Sequence, residues 1–576
     1  MNPYNDIQTL VIDSLMTMQN IDFLPKDLDL SLVVVEPTKD PKHGDMSTNA
    51  AMVLAKSAKK NPKIIANALV SYLNLNKNIS SATVAGPGFV NLAMSEKFWY
   101  DQLQECLIND IHYGDSTIGN NEKVNVEYVS ANPTGPLHVA HARGAIVGDA
   151  IANLLKKIGY DVTKEYYIND AGAQVDKLAE SAYLRYKEAL GHDIGKIPEG
   201  LYPGEYLKEF GEILVKANSD YWISGYKEDV IPIIKQFSID YMIKDIKHDL
   251  KTLGISIDTF TSEVEILRKD VISDIISDFQ LNGLIDYVVM PPVHVDDYGT
   301  TIDKKPLMVF KSTKYGDDLD RPLMKPDGSW TYFANDIGYH KDKLDRGFTK
   351  MVNVWGADHG GYVSRMKYAV SAISNGNAEL EVILCQMVNI LRDGVPVPMS
   401  KRAGTFVTLR DLMDEVGPDV VRFNMLTRSN NSHMDFDLKK VTEQSKENMV
   451  WYIQYAHTRT KSVMTQAEEA NIPITNLSSA PFFKLANPAE LALIKLISQW
   501  PREVHIAAMA KEPHRLSTYL YKLASEFHSY WSSEFRFITS DIDLSVARIA
   551  LAKAVGIVIA SGLKIYGVTP LNRMES

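Results

Sequence analysis

The sequence predicts a multidomain α/β protein that ends in an all-α region, and three observations carry that prediction. Glu127–Asp149, EYVSANPTGPLHVAHARGAIVGD, reads as a strand, a tight loop and a helix start. Two later runs, MVNVWGADHGGY and EVILCQMVNIL, read as buried strands returning to the same parallel sheet. From about Lys439 onward, apolar residues recur at helical spacing to the end of the chain.

Composition bounds the class before any motif is trusted. At 576 residues, with 45% hydrophobic and 23% charged, the chain has room for three or more domains around separate cores. Cys106 and Cys385 lie too far apart in sequence for a disulfide framework or a four-thiolate site, which points to a reducing cytoplasm and no structural zinc. MNPYNDIQTL has no basic start before an apolar core, so no signal peptide is expected. The longest apolar run, Ala554–Leu563, is about half a membrane span and reads as a buried helix. Net charge is -11, but Lys439–Ser576 holds 16 Lys and Arg against 12 Asp and Glu. A basic region on an acidic body is compatible with a nucleic-acid partner without requiring one.

Taken in order, residues 1–105 read as a small α/β domain. It has a helix over Asn5–Asn20, a strand over Leu32–Glu36, a helix over Asn49–Lys59 and another after Asn61-Pro62. Two strands then flank the turn Gly86-Pro87-Gly88. Residues 106–438 read as a Rossmann-like domain. In it His138 and His141 share one face where the helix opens, and helix N–H groups there favour an anion such as a nucleotide phosphate. DVTKEYYINDAG follows as a second strand, and the polar, helical stretch at about 174–290 reads as an insertion between two halves of the sheet. In TYFANDIGYHKDKL, Tyr332 and Asp336 are four residues apart and share a helix face. Ser400, Lys401 and Arg402 form a basic loop, which by itself reads as solvated surface. Residues 439–576 read as a helical bundle.

Taken together, a His-x-x-His helix start and a Met-Ser-Lys loop about 260 residues later resemble the two signatures of class I aminoacyl-tRNA synthetases. The likeness is closer than the class. EYVSANPTGPLHVAHARGAIVGD, STKYGDDLDRPLMKPDGSWTYFANDIGYHKDKL, WGADHGGY, MSKRAGTFVTL, WYIQYAHTRT and the terminal GVTPLNRM all resemble arginyl-tRNA synthetases. HGDMSTNAAMVLAK and GPGFVNL resemble that family's N-terminal addition, which contacts the tRNA elbow.

The resemblance implies an ATP-dependent ligase that joins L-arginine to its tRNA. Pro136, His138, His141, Gly144, Met399, Ser400 and Lys401 would meet ATP, with His138, His141 and Lys401 catalytic. Mg²⁺ would travel with the nucleotide on phosphate oxygens, and no zinc is expected. Glu127, Ser130, Asn132, Tyr332, Asp336 and His359 would meet arginine, with Asp336 and Tyr332 on the guanidinium. Trp451, Tyr452, Tyr455, His457 and Arg459 would stack on and clamp anticodon bases. Arginine tRNA, arginine and ATP are the implied partners of a cytoplasmic monomer with no membrane contact. Two positions depart from the family pattern: Ala140 replaces the glycine between the histidines, and Pro398 replaces the first lysine of the loop. A tRNA-binding paralogue without chemistry and a different nucleotidyltransferase are the alternative readings.

Overall fold

A computed structural model describes residues 2–223, 225, 227–289, 306–397 and 407–574. The chain divides into two compact units: residues 119–443 with 566–568, and residues 1–118 with 444–565 and 569–576.

The first unit is built on a five-stranded sheet. In chain order its elements are strand β1 (Lys123–Glu127), helix α1 (Val139–Lys157), strands β2 (Asp161–Ile168) and β3 (Thr259–Ser262), helix α2 (Tyr332–Asp345), strand β4 (Lys350–Gly356), helix α3 (Val363–Ile373) and strand β5 (Glu379–Cys385). The spatial order is β5-β4-β1-β2-β3, and every pairing is parallel. Strand order therefore reverses between β1 and β4. Ligands bind in such sheets at that crevice, beyond the carboxyl ends of the strands. Edge strand β3 falls inside the stretch read from sequence as a helical insertion. Its four residues, Thr259–Ser262, are half-buried and polar at three positions, so neither alternation nor an apolar run marks them.

Helix α1 carries small and branched residues on nearly all sides and is buried over most of its length. Gly148 is required where it crosses β1, because a Cβ there would lie 2.3 Å from the Tyr128 ring. The next residue, Asp149, is buried between Lys164 at 2.6 Å and Arg422. Burial by itself would raise its carboxyl, but the two cations outweigh that and hold it below the usual carboxylate range. Removing either cation would leave a buried charge uncompensated, at a cost of about 3–5 kcal/mol.

In the second unit, four antiparallel strands, Val35–Pro37, Met46–Thr48, Phe89–Met94 and Ile79–Ala85, stand in that spatial order. The last two join through Gly86-Pro87-Gly88, whose two glycines both have positive φ. Helices Pro3–Asn20, Ala50–Ala58 and Pro62–Leu73 belong to the same part of the chain. Helix Glu96–Asn109 packs on Pro488–Ile497 and on Ile542–Ile565 of the C-terminal bundle. Among the described residues, Ile542–Ile565 is the one helix long and apolar enough to cross a membrane, and 83% of its most apolar window is buried within the protein.

Candidate active site

The half of the site expected to meet a nucleotide is assembled where the β1–α1 loop meets the helix start. His138 is the N-cap of α1, and its backbone N–H donates to His141 Nδ1 at 3.3 Å. His141 Nδ1 is thus an acceptor, which places the ring proton on Nε2. The two rings pack with centroids 3.8 Å apart and planes tilted by 31°. A later segment runs alongside: Leu409 N–H donates to the Leu137 carbonyl at 2.8 Å, and Thr408 pairs with His138 in an antiparallel bridge. Pro398, Met399, Ser400, Lys401 and Arg402 lie outside the described residues. A cavity of about 420 Å³ opens over this start, with Asn132, Pro136, His138 and His141 in its wall. One turn along, a Cβ on Gly144 would meet nothing within 4 Å, so that face of the helix is open.

The second half lies at the carboxyl ends of β1 and β2 and on α2. Glu127 ends β1 and is already matched: its Oε2 accepts from the buried Lys343 ammonium at 2.7 Å and its Oε1 from Ser130 Oγ at 3.0 Å. Ser130 Oγ also accepts from the Tyr167 N–H at 3.1 Å. This geometry needs a reversed backbone. Val129 has φ +70 and Ser130 φ +39, conformations that a β-branched residue adopts only under constraint from its surroundings. Asn132 is exposed, and its amide donates to Gln174 Oε1 at 2.8 Å. His359 is exposed just beyond β4, with its Nε2 3.5 Å from Asp358.

Asp336 differs from Glu127 in having no cation bonded to it among the described residues. Its carboxylate accepts from the Tyr362 hydroxyl at 2.6 Å. Burial pushes the Asp336 carboxyl up to about 7; Tyr362 opposes the shift, while the charges of Glu127 and Glu263 add to it. Glu263, just past β3, is 3% exposed and its carboxyl is likewise raised by burial. Its Oε1 accepts from Asn335 at 2.9 Å, but its Oε2 has no hydrogen-bond partner among the described residues. The same is true of the buried Tyr167 hydroxyl, which feels Glu263, Asp336, Glu127 and Asp170. Behind them, burial lowers His340 to about 3, so its ring stays neutral. Its Nδ1 donates to the Asp336 carbonyl at 2.8 Å and its Nε2 accepts from Asn353 at 3.1 Å. The recess is therefore rich in acceptors and short of donors, which is the complement of a cationic group with several N–H bonds.

The class I tRNA synthetase (R) catalytic-domain model matches residues 102–463, more than half of the chain. The arginyl-tRNA synthetase N-terminal domain model matches residues 5–94, and the DALR anticodon-binding domain model matches residues 453–574. The chain belongs to the arginyl-tRNA synthetase family. Arginine--tRNA ligases of Roseobacter denitrificans and of a Ruegeria species are each 50% identical to it over 100% of both chains. The arginyl-tRNA synthetase of Thermus thermophilus superposes with a TM-score of 0.76 at 18% identity, covering 99% of this chain and 100% of that one. That of Plasmodium falciparum gives 0.71 at 15%, with 99% of each chain covered. These last two similarities speak for the fold alone.

Within the family frame, some expected residues meet and others do not. Asp336 and Glu127 face one recess, but the phenol on Asp336 is that of Tyr362. Tyr332 is 63% exposed, with the Lys325 ammonium 5.6 Å from its ring centre. It is the first residue of α2. On helix Met449–Glu469, Trp451 and Tyr455 pack with ring centres 5.1 Å apart, and the Arg459 guanidinium lies 4.3 Å from the Tyr455 ring centre. Tyr452 packs on His528 at 4.3 Å. His457 departs from the expectation. It is 2% exposed and its Nδ1 donates to the Leu571 carbonyl at 2.7 Å, so it holds the chain's C-terminal segment and presents no face to a base. Sequence reasoning missed Tyr167, Glu263, Lys343 and Tyr362. Only Tyr362 carried a signal, as the tyrosine closing WGADHGGY.

Proposed function

We propose that this arginine--tRNA ligase takes the guanidinium into the recess bounded by Asp336, Glu263 and Tyr167, while ATP lies over the start of α1. The observation that carries the reading is the Asp336 carboxyl, held up to about 7 by burial beside the buried Glu263 Oε2 and Tyr167 hydroxyl, which have no hydrogen-bond partner among the described residues. A guanidinium brings five N–H donors in a planar fork and a permanent positive charge, which would satisfy Asp336 and Glu263 together. Lysine brings one compact charge without the fork, so it would leave one carboxylate unmatched. Lys343 takes up the third carboxylate, Glu127, and so keeps the recess from binding its own lysine at the wrong acid. Ser130 and Glu127 then support the recess wall, and Asn132, Tyr332 and His359 stand at its outer side.

In the activation step the arginine carboxylate attacks the α-phosphorus of ATP, a bond forms from carboxylate oxygen to phosphorus, and pyrophosphate leaves with the α,β-bridging oxygen. The chain's contribution is positioning and charge. His141 Nε2–H, His138 and the N-terminal N–H groups of α1 face the phosphates, Pro136 and Gly144 leave room for the nucleotide, and Met399, Ser400 and Lys401 close on the β- and γ-phosphates. Mg²⁺ fits as a passenger of ATP: the cavity wall contains no carboxylate among the described residues, so its oxygens would come from phosphate. Arginine then passes to the 3′ end of the tRNA with release of AMP. Trp451, Tyr452, Tyr455 and Arg459 meet the anticodon. The enzyme works as a cytoplasmic monomer without zinc or membrane. Arginine-dependent ATP–pyrophosphate exchange, with and without arginine tRNA, tests the reading; exchange in neither condition would refute it.

A further inference from the structure

The helical insertion has no assigned part in the reaction, yet it forms a wall of the cavity over the signature histidines. Helix Ala173–Ala189 contributes Gln174 and Lys177, the loop after it contributes Tyr202, and the start of helix Tyr206–Asn218 contributes Tyr206. That loop is held at Tyr202 and Pro203. The Tyr202 N–H donates to Ser181 Oγ at 2.9 Å, and Arg185 Nη2 donates to the Pro203 carbonyl at 2.7 Å. On the other side, the Tyr206 hydroxyl donates to the Thr134 carbonyl at 2.6 Å, inside the β1–α1 loop itself. The two glycines that flank its ring are needed there. A Cβ on Gly204 would lie 2.2 Å from the Tyr206 ring, and one on Gly135 would lie 3.1 Å from its hydroxyl. Burial raises the Tyr206 phenol above its usual range, so it stays protonated and remains a donor. This wall is therefore keyed to the loop that holds ATP.

Lys177 is the only Lys or Arg in the cavity wall among the described residues, and no carboxylate accompanies it there. Asp176, its neighbour, is taken up by Lys235 at 2.7 Å. We propose that Lys177, on the insertion, is a further ATP-binding residue that neutralises triphosphate charge across the cavity from His138 and His141. A mobile ammonium on a four-carbon stem suits a diffuse negative charge better than a directed acceptor would. A basic residue in this place also adds positive charge to a site whose loop has Pro398 where the family pattern has a lysine.

The inference rests on the placement of ATP given above, so its test reads ATP binding directly as well as turnover. Equilibrium dialysis of the full-length chain with ATP and with adenosine, at several salt concentrations, would be run for the parent, Lys177→Met and Lys177→Arg. Lys177→Met is expected to weaken ATP about tenfold, as loss of one charge-assisted contact should. It should leave adenosine unchanged and flatten the salt dependence of ATP binding, and Lys177→Arg should restore both. In pyrophosphate exchange the ATP KM should rise with the arginine KM unaltered. Parent-like ATP binding in Lys177→Met, or equal losses for ATP and adenosine, would overturn the proposal. A parent that binds ATP without any exchange would refute the ligase reading while leaving this result to stand or fall alone.

Discussion

The two halves of the catalytic unit solve opposite problems with opposite means. The nucleotide cavity is open, contains no carboxylate among its described residues, and greets an anion with a helix end, ring N–H groups and Lys177. The recess proposed for arginine gathers Asp336, Glu263 and Glu127, and burial pushes the Asp336 carboxyl up to about 7. An anion that arrives with its own Mg²⁺ needs only dipoles and a few mobile charges. A cation that must be told from lysine needs fixed acceptors prepared in advance, and that preparation is stored as desolvated carboxylates. Glu127 shows what Asp336 would be if matched: with Lys343 at 2.7 Å it is a structural ion pair.

The largest test removes the prepared charge. Asp336→Asn is expected to raise the arginine KM by about two to three orders of magnitude, the effect of losing one member of a buried charge pair. The ATP KM should change little. Equal effects on both substrates would place Asp336 in the shared framework and break the contrast between the halves.

On the nucleotide side, Lys401→Ala is expected to lower the activation rate by roughly two orders of magnitude, in line with loss of a charge that acts in the transition state. Pre-steady-state formation of the adenylate measures it. A near-normal rate would mean that the α1 helix end and Lys177 carry the phosphates by themselves. The described chain on the far side of this loop supports the assignment, since Val407–Leu409 bonds to Leu137–Val139 beside His138.

What the sequence made legible follows the same division. A helix end is a local device, so the NPTGP turn and both histidines could be read from one continuous stretch; helix α1 opens where that stretch predicts, while strand β1 ends at Glu127, earlier than the EYVSA run suggests. The recess is not local. Glu263 arrives from the helix start just past β3, some 90 residues after β2, Tyr362 from the far side of the strand-order reversal, and Lys343 from the inner face of α2. In the sequence Lys343 looks like any solvated helix lysine of YHKDKL, whereas in the fold it is 0% exposed. His457 failed in the opposite sense. It lies in an aromatic, basic stretch that looks like a base-stacking face, but helical phase turns it inward onto Leu571.

The raised Asp336 carboxyl also makes the recess pH-dependent. Arginine binds the ionised form, so below about 7 its affinity should fall roughly tenfold per pH unit, and above it should level off. The stability of the ligand-free protein has the matching sign. An Asp that keeps its proton to higher pH in the folded state than in the unfolded chain makes folding less favourable as pH rises from about 4 to about 7. Thermal unfolding with and without arginine checks both: the rise in Tm on adding arginine should grow from pH 5 to pH 7 and then stay level. A rise that is flat across this range would mean that Asp336 is already ionised without its ligand.

The smallest effect comes from Tyr362→Phe, and it separates pairing from burial as the source of the Asp336 shift. The Tyr362 hydroxyl donates to the Asp336 carboxylate at 2.6 Å and so favours the ionised form, against the larger effect of burial. Removing one hydrogen bond to a charged group costs that form about 1.5 kcal/mol, which corresponds to about one pH unit. The midpoint for arginine binding should therefore move upward by about that amount. Above the new midpoint arginine affinity should return to near the parent value, because the guanidinium supplies the donors that the phenol gave up. Arginine titrations of the two proteins between pH 6 and pH 9 measure the displacement. If Tyr362→Phe instead weakens arginine equally at every pH, the phenol touches arginine directly, and the recess is held open by its substrate contacts and not by the state of Asp336.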